Sequence, residues 1–190
     1  MSRLQAAARG LACALLLAAC GSPPAGPSLL SRPASAYLLT LDELRTPGFT
    51  VVEPAHPVPK NLLSAGPQDS ATARYFRTVP VLATANGPLD VRTETLRFAT
   101  ASSAHSAYTA LTREVDALAN IIPESAGPLG DEAHADHLLT TSPDGVPLVE
   151  VTLTWRITNL VSVLVVRGRD AGTGLADALI LAHAQAAGER

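Results

Sequence analysis

Basic residues are few. The chain has one lysine, Lys60, and its acids outnumber its bases 17 to 14. That balance argues against nucleic acid or an anionic lipid surface as a partner. No Gly-x-Ser-x-Gly elbow is present, so the nucleophile turn of one large hydrolase class is missing. Gly172-Thr173-Gly174 is the nearest thing to a phosphate-binding turn. It lacks the spacing of a dinucleotide fingerprint and the lysine of a P-loop, and reads as a loop ending in a helix cap. Long apolar runs are absent too: Gly10 to Ala19 is too short to span a bilayer. Cysteine is scarce, with Cys13 and Cys20 alone.

What is there begins with an address. Arg3 and Arg9 form a positive segment, the short apolar run follows, and Leu17-Ala18-Ala19-Cys20-Gly21 closes it. This is the anatomy of a signal peptide. The Leu-Ala-Ala-Cys spacing resembles the lipobox of bacterial lipoproteins. That resemblance implies cleavage between Ala19 and Cys20, with Cys20 as the lipid-bearing residue. The mature chain then starts at Cys20 and, with Arg3 and Arg9 gone, is more acidic than the whole chain at −3. Its single sulfur is acylated, so no internal disulfide forms and the fold rests on its core. Attachment is to the cell membrane or outer membrane, on the extracytoplasmic side, through acyl chains on Cys20 rather than a basic face. Residues 1–19 are the expected leader and 20–36 the acylated cysteine with a Pro/Gly/Ser-rich tether. Residues 37–190 are expected to form one domain.

Within 37–190 the pattern is α+β. Tyr37 to Leu41 reads as a strand or extended edge, Asp42-Glu43-Leu44 as a helical turn stopped by Pro47-Gly48, and Phe49 to Val52 as a short strand. Pro54, Pro57 and Pro59 interrupt, and 61–70 is loop-like. Ala73 to Val81 reads as a strand, and Leu89 to Thr100 as a longer one whose apolar phase slips. A bulge at 93–95 would reconcile Leu89 and Val91 with Leu96 and Phe98. Ser102 or Ser103 is the expected cap of a helix with the stripe Ala104, Tyr108, Leu111, Val115, Leu118 and Ile122, ended by Pro123.

The strongest signal is the segment 133–166. A strand at 133–141 turns at Ser142-Pro143-Asp144-Gly145. Val149, Val151, Leu153, Trp155 and Ile157 then alternate with Glu150, Thr152, Thr154 and Arg156, the period of a half-buried strand. Thr158-Asn159 breaks the run, and Leu160 to Val166 is uncharged and rich in valine. Asn tolerates the positive φ of a two-residue turn, which pairs Ile157 with Leu160, Trp155 with Ser162, Leu153 with Leu164 and Val151 with Val166. A final helix, capped by Thr173, carries Leu175, Leu179, Ala182 and Ala186 on one side. The sum is an antiparallel sheet with flanking helices.

Several short motifs have a familiar look. They are Leu-Leu-Thr-x-x-Glu-Leu followed by Pro-Gly-Phe, Leu129-Gly130-Asp131-Glu132-Ala133 after a helix, Trp155-Arg156-x-x-Asn159, and Ala182-x-Ala184-Gln185. Together they resemble small actinobacterial lipoproteins and the extracellular sensor domain of PknH-type kinases. The resemblance implies a PsbP-like α/β sandwich. It also implies a non-catalytic binding or sensing domain with its ligand cleft between sheet and helices.

For chemistry, Asp131, Glu132, His134, Asp136 and His137 form the richest cluster. On a strand they divide between two faces, and neither face offers three ligands unless His105 or His183 joins. No metal, cofactor or catalytic residue is assigned. Trp155 sits on the apolar parity and belongs to the core. Arg156 lies on the other face together with Val161, Val163 and Val165, so a helix covers that face or it is a groove. These four are the candidate ligand-binding residues, for an apolar small molecule or a segment of an envelope protein. The expected function is a lipid-anchored envelope protein that binds without transforming its ligand. The alternatives are a structural accessory of an envelope complex, or an enzyme of unrecognised kind.

Overall fold

The computed structural model describes residues 28–58 and 66–189. The leader, Cys20, most of the tether and part of the proline-rich loop lie outside them. Seven strands form one antiparallel sheet: β1 (Phe49–His56), β2 (Asp69–Arg77), β3 (Asp90–Arg97), β4 (Ile121–Glu124), β5 (Glu132–Thr141), β6 (Pro147–Ile157) and β7 (Leu160–Arg169). Their order across the sheet is β1-β2-β3-β7-β6-β5-β4. Two helices, α1 (Ala101–Asp116) and α2 (Leu175–Gly188), pack on opposite faces. The α+β class expected from the sequence is the observed one.

The sheet is organised around the β6–β7 hairpin, whose register is the expected one: Ile157 faces Leu160, Trp155 faces Ser162 and Val151 faces Val166. The turn differs in detail. The positive φ falls on Thr158, at 50°, a strained value for a β-branched residue. Asp131 holds it by accepting from the Thr158 amide at 2.8 Å. Asn159 uses its side chain instead. Its amide nitrogen donates to the carbonyls of Leu30 and Phe98, and its Oδ1 accepts from the Leu30 amide. Gly130, at φ 68°, passes so close to the Arg156 carbonyl that a Cβ there would collide with it.

On the α2 face, the core joins Val91, Val151, Leu153, Trp155, Leu164 and Val166 to Ala178, Leu181, Ala182 and Ala186 of the helix. Leu175 and Leu179 of the expected stripe are only half-buried. The helix starts after Gly174, whose amide donates to Asp177, while Thr173 is buried against Gly168. A polar relay runs through this core. Trp155 Nε1 donates to Glu189 at 2.9 Å, Ser162 Oγ donates to the other oxygen at 2.7 Å, and Thr93 donates to Gln185 at 2.9 Å. Burial pushes the Glu189 carboxyl up, against the pull of Ser162, Trp155 and Gln185. Ala34 is in the same core, within a 3-10 turn (Ala34–Tyr37). The extended opening expected from residue 37 is therefore a turn that gives way to extended chain only at Leu38.

Elsewhere further expectations change. β3 keeps an unbroken register with both neighbours, so it has no bulge. Its apolar phase slips because both faces are covered: Val91, Thr93 and Thr95 point towards α2, while Leu96 joins the α1 core. Helix α1 is capped by Thr100, whose Oγ1 accepts from the Ser103 amide at 3.0 Å. It ends at Asp116, so Leu118 and Ile122 are exposed. Pro123 stands in edge strand β4, and Pro54 in edge strand β1. A missing N–H is tolerated at both sites because one side of each strand is unpaired. Finally, β2 starts at Asp69 and stops at Arg77, ahead of Pro80.

Candidate functional site

The face opposite α2 is divided. Alternation puts Glu150, Thr152, Thr154 and Arg156 of β6 on it, paired in register with Arg167, Val165, Val163 and Val161 of β7. β3 adds Asp90, Arg92, Glu94 and Leu96 in the same rows. Helix α1 covers one end. Val161 is fully buried there with Leu96, Phe98, Ala104 and Ala107. Val161 therefore offers no surface to a ligand.

Arg156 is also occupied. It donates to Glu132 at 2.7 Å, to Asp131 at 3.1 Å and to the Thr158 carbonyl at 2.8 Å. Its guanidinium ties β6 to β5 and props the strained turn. Glu132 accepts in addition from His105 of α1 at 2.7 Å. Burial would raise the Glu132 carboxyl, but Arg156 and His105 hold it below its ordinary value. Of the four residues proposed from sequence, Val163 and Val165 are half-buried, and Val165 alone lines a pocket.

Beyond Val165 the face opens into a pocket of about 270 Å³, lined by Glu53, Arg74, Asp90, Arg92, Glu150, Val165 and Arg167. Most of its charges are spoken for. Arg74 grips Asp90 with two bonds, at 2.9 and 2.6 Å, and reaches Glu53 at 3.4 Å. Arg167 pairs with Glu150. Arg92, between Arg74 and Val165 in register, is exposed and has no hydrogen bond or salt bridge among the described residues. Its neighbour Glu94 is pushed up by burial, with Arg92 pulling the other way.

The acid–histidine cluster is dispersed. His137 pairs with Glu124 at 2.9 Å, and His105 with Glu132. His134 lies 3.3 Å from Asp116 at the end of α1 and 3.8 Å from Asp136. Among the described residues no three His, Cys, Asp or Glu side chains are grouped to hold a metal ion. Asp136 is 1 % exposed, and its Oδ2 and the His134 Nε2 lack hydrogen-bond partners. Burial raises the Asp136 carboxyl to about 6, opposed by His134 and assisted by Asp116 and Glu150.

The arginines of the pocket were not singled out from sequence, although a signal existed. Asp90, Arg92 and Glu94 alternate with Val91, Thr93 and Thr95, which marks one face of β3 as charged. Which charges would meet depended on strand order, and that was not legible.

No protein-family model matches the chain, and no curated protein matches it significantly. Among solved structures it is similar to the extracellular domain of PknH from Mycobacterium tuberculosis. The two share 11 % sequence identity at a TM-score of 0.54, over 84 % of this chain and 96 % of that one. At this identity the likeness is one of fold. Among the described residues no helix is long and apolar enough to cross a membrane.

Proposed function

We propose that the protein is a lipid-anchored, extracytoplasmic binding protein that holds a ligand on the uncovered half of the β3–β7–β6 face without transforming it. The carrying observation is the contrast along β7. Val161 is sealed under α1, whereas Val165, two rows along the same face, lines the charged pocket. A concave site with a few placed polar groups, at the margin of a packed helix, is where small ligands are usually held. The likeness to a kinase's extracellular domain supports a fold that works outside the cytoplasm, and the Cys20 leader supports the anchor.

Native mass spectrometry of the protein taken gently from its host membrane tests the reading. The expected result is a retained small mass beyond the acyl groups, lost in Val165→Trp, which fills the pocket. A chain that carries nothing in either form overturns it. For the anchor, Cys20→Ala is expected to move the protein out of the membrane fraction, and retention there would refute lipidation at Cys20.

A second reading, an accessory of an envelope complex, is favoured by the sheet edges. Val51 and Val52 of β1 are about half exposed, as are Leu139 beside β4 and Leu118 before it. A stoichiometric protein companion in the same spectra, in place of a small mass, would select it.

A further inference from the structure

Charge pairing in the pocket narrows the ligand class. From the geometry we infer that the ligand is a small monocarboxylate with a short apolar body, its carboxylate on Arg92 and its body on Val165. The inference rests on the reading of this pocket as a ligand site.

Of the three arginines lining it, Arg74 is saturated by Asp90 and Glu53, and Arg167 is held by Glu150. Arg92 is the one of the three with no partner among the described residues, so its whole guanidinium fork, the group best shaped for two parallel bonds to a carboxylate, is free. The same lining argues against a multiply charged anion. The lining already holds three carboxylates against three arginines, so it has no surplus positive charge to hold a phosphate dianion, whereas a monoanion needs only the one unpaired arginine.

Size and floor complete the description. A pocket of about 270 Å³ lies below the usual range for drug-sized ligands, so the molecule is small. Val165 is its one apolar wall, and Val163 is the next residue on that face of β7. A chain of a few methylenes resting on Val165 satisfies that wall. Arg92 makes no hydrogen bond or salt bridge to a described residue and touches the fold only through its pull on Glu94, so, once folding is checked, its removal can be read as a change in binding.

The test is isothermal titration of the full chain with hexanoate, and separately with inorganic phosphate. Hexanoate is expected to bind the wild type, with phosphate at least about tenfold weaker. Arg92→Gln is expected to weaken hexanoate by about tenfold or more, the scale of a charge-assisted bond. Arg45→Gln, an exposed arginine outside the pocket, is expected to leave it unchanged. Circular dichroism and thermal unfolding verify that both variants fold. Unchanged hexanoate affinity in Arg92→Gln overturns the inference, as does phosphate binding equal to hexanoate, or no hexanoate binding by the folded wild type. A retained mass that lacks a carboxylate would also overturn it while leaving the pocket a ligand site, which separates this inference from the broader reading.

Discussion

The two faces of the sheet are made by the same strands and differ in how their polar groups are settled. Under α2, most polar atoms are deeply buried and partnered, with Thr173 Oγ1 and Arg97 Nε the unpartnered exceptions on that side among the described residues. Glu189, fully buried, receives Trp155 and Ser162, and Thr93 is bonded to Gln185 and the Leu39 amide. Under and beside α1, charges are numerous and the matching is incomplete. Asp136 and His134 each keep a buried atom without a hydrogen bond, and Arg92 faces the pocket unpaired. A satisfied network specifies one packing, whereas unpaired groups are more often found where something binds or switches. The α2 face reads as scaffold, and the binding surface proposed above lies on the other one.

That division can be broken at its strongest point first. Trp155→Ala removes the largest fully buried side chain and takes from Glu189 Oε2 its indole donor, so it is expected to cost about 3–5 kcal/mol in urea unfolding. A loss below about 1 kcal/mol would mean that the α2 face is not the scaffold.

Next in size is a pH effect on the other face. The Asp136 carboxyl rises from its ordinary 3.8 to about 6, so the folded protein binds a proton there that the unfolded chain has already lost. Its stabilising contribution is full below about pH 4 and declines as pH rises through about 6. His134, Asp116, Glu150 and His137 act on the same group. Asp136→Asn is expected to flatten stability against pH across that window and to raise stability near neutrality. An unchanged profile, measured by urea unfolding at each pH, would remove Asp136 as its source.

The smallest effect should come from Arg92→Gln, expected within about 0.5 kcal/mol of wild type in the same unfolding assay, as for a surface change away from any packed feature. A larger loss would place Arg92 in the scaffold and blur the contrast between faces.

How far the sequence revealed this depends on the range of each interaction. The hairpin register followed from a strict period of two and a two-residue turn, both local properties of Val149 to Val166. β3 misled for a physical reason: a strand covered on both faces carries apolar residues on both parities, which mimics a bulge. The end of α1 misled because Pro123 serves in an edge strand as readily as it stops a helix. At the site, Val163 and Val165 were legible as lying on a shared face. The sealing of Val161, the capture of Arg156 by Asp131 and Glu132, and the meeting of Arg74, Asp90 and Arg167 all depend on which strands become neighbours. Short motifs do not encode that.

The grip of Asn159 on Leu30 has a mechanical side. Oδ1 and the amide nitrogen of one side chain hold both backbone groups of Leu30, and the same amide nitrogen bonds Phe98 just past β3. Tension applied to the chain ahead of Leu30 therefore enters at the β6–β7 turn, next to the central strands, rather than at edge strand β1 or β4. Since that turn joins β6 to β7 and Phe98 follows β3, such a load meets three neighbouring central strands before either edge strand.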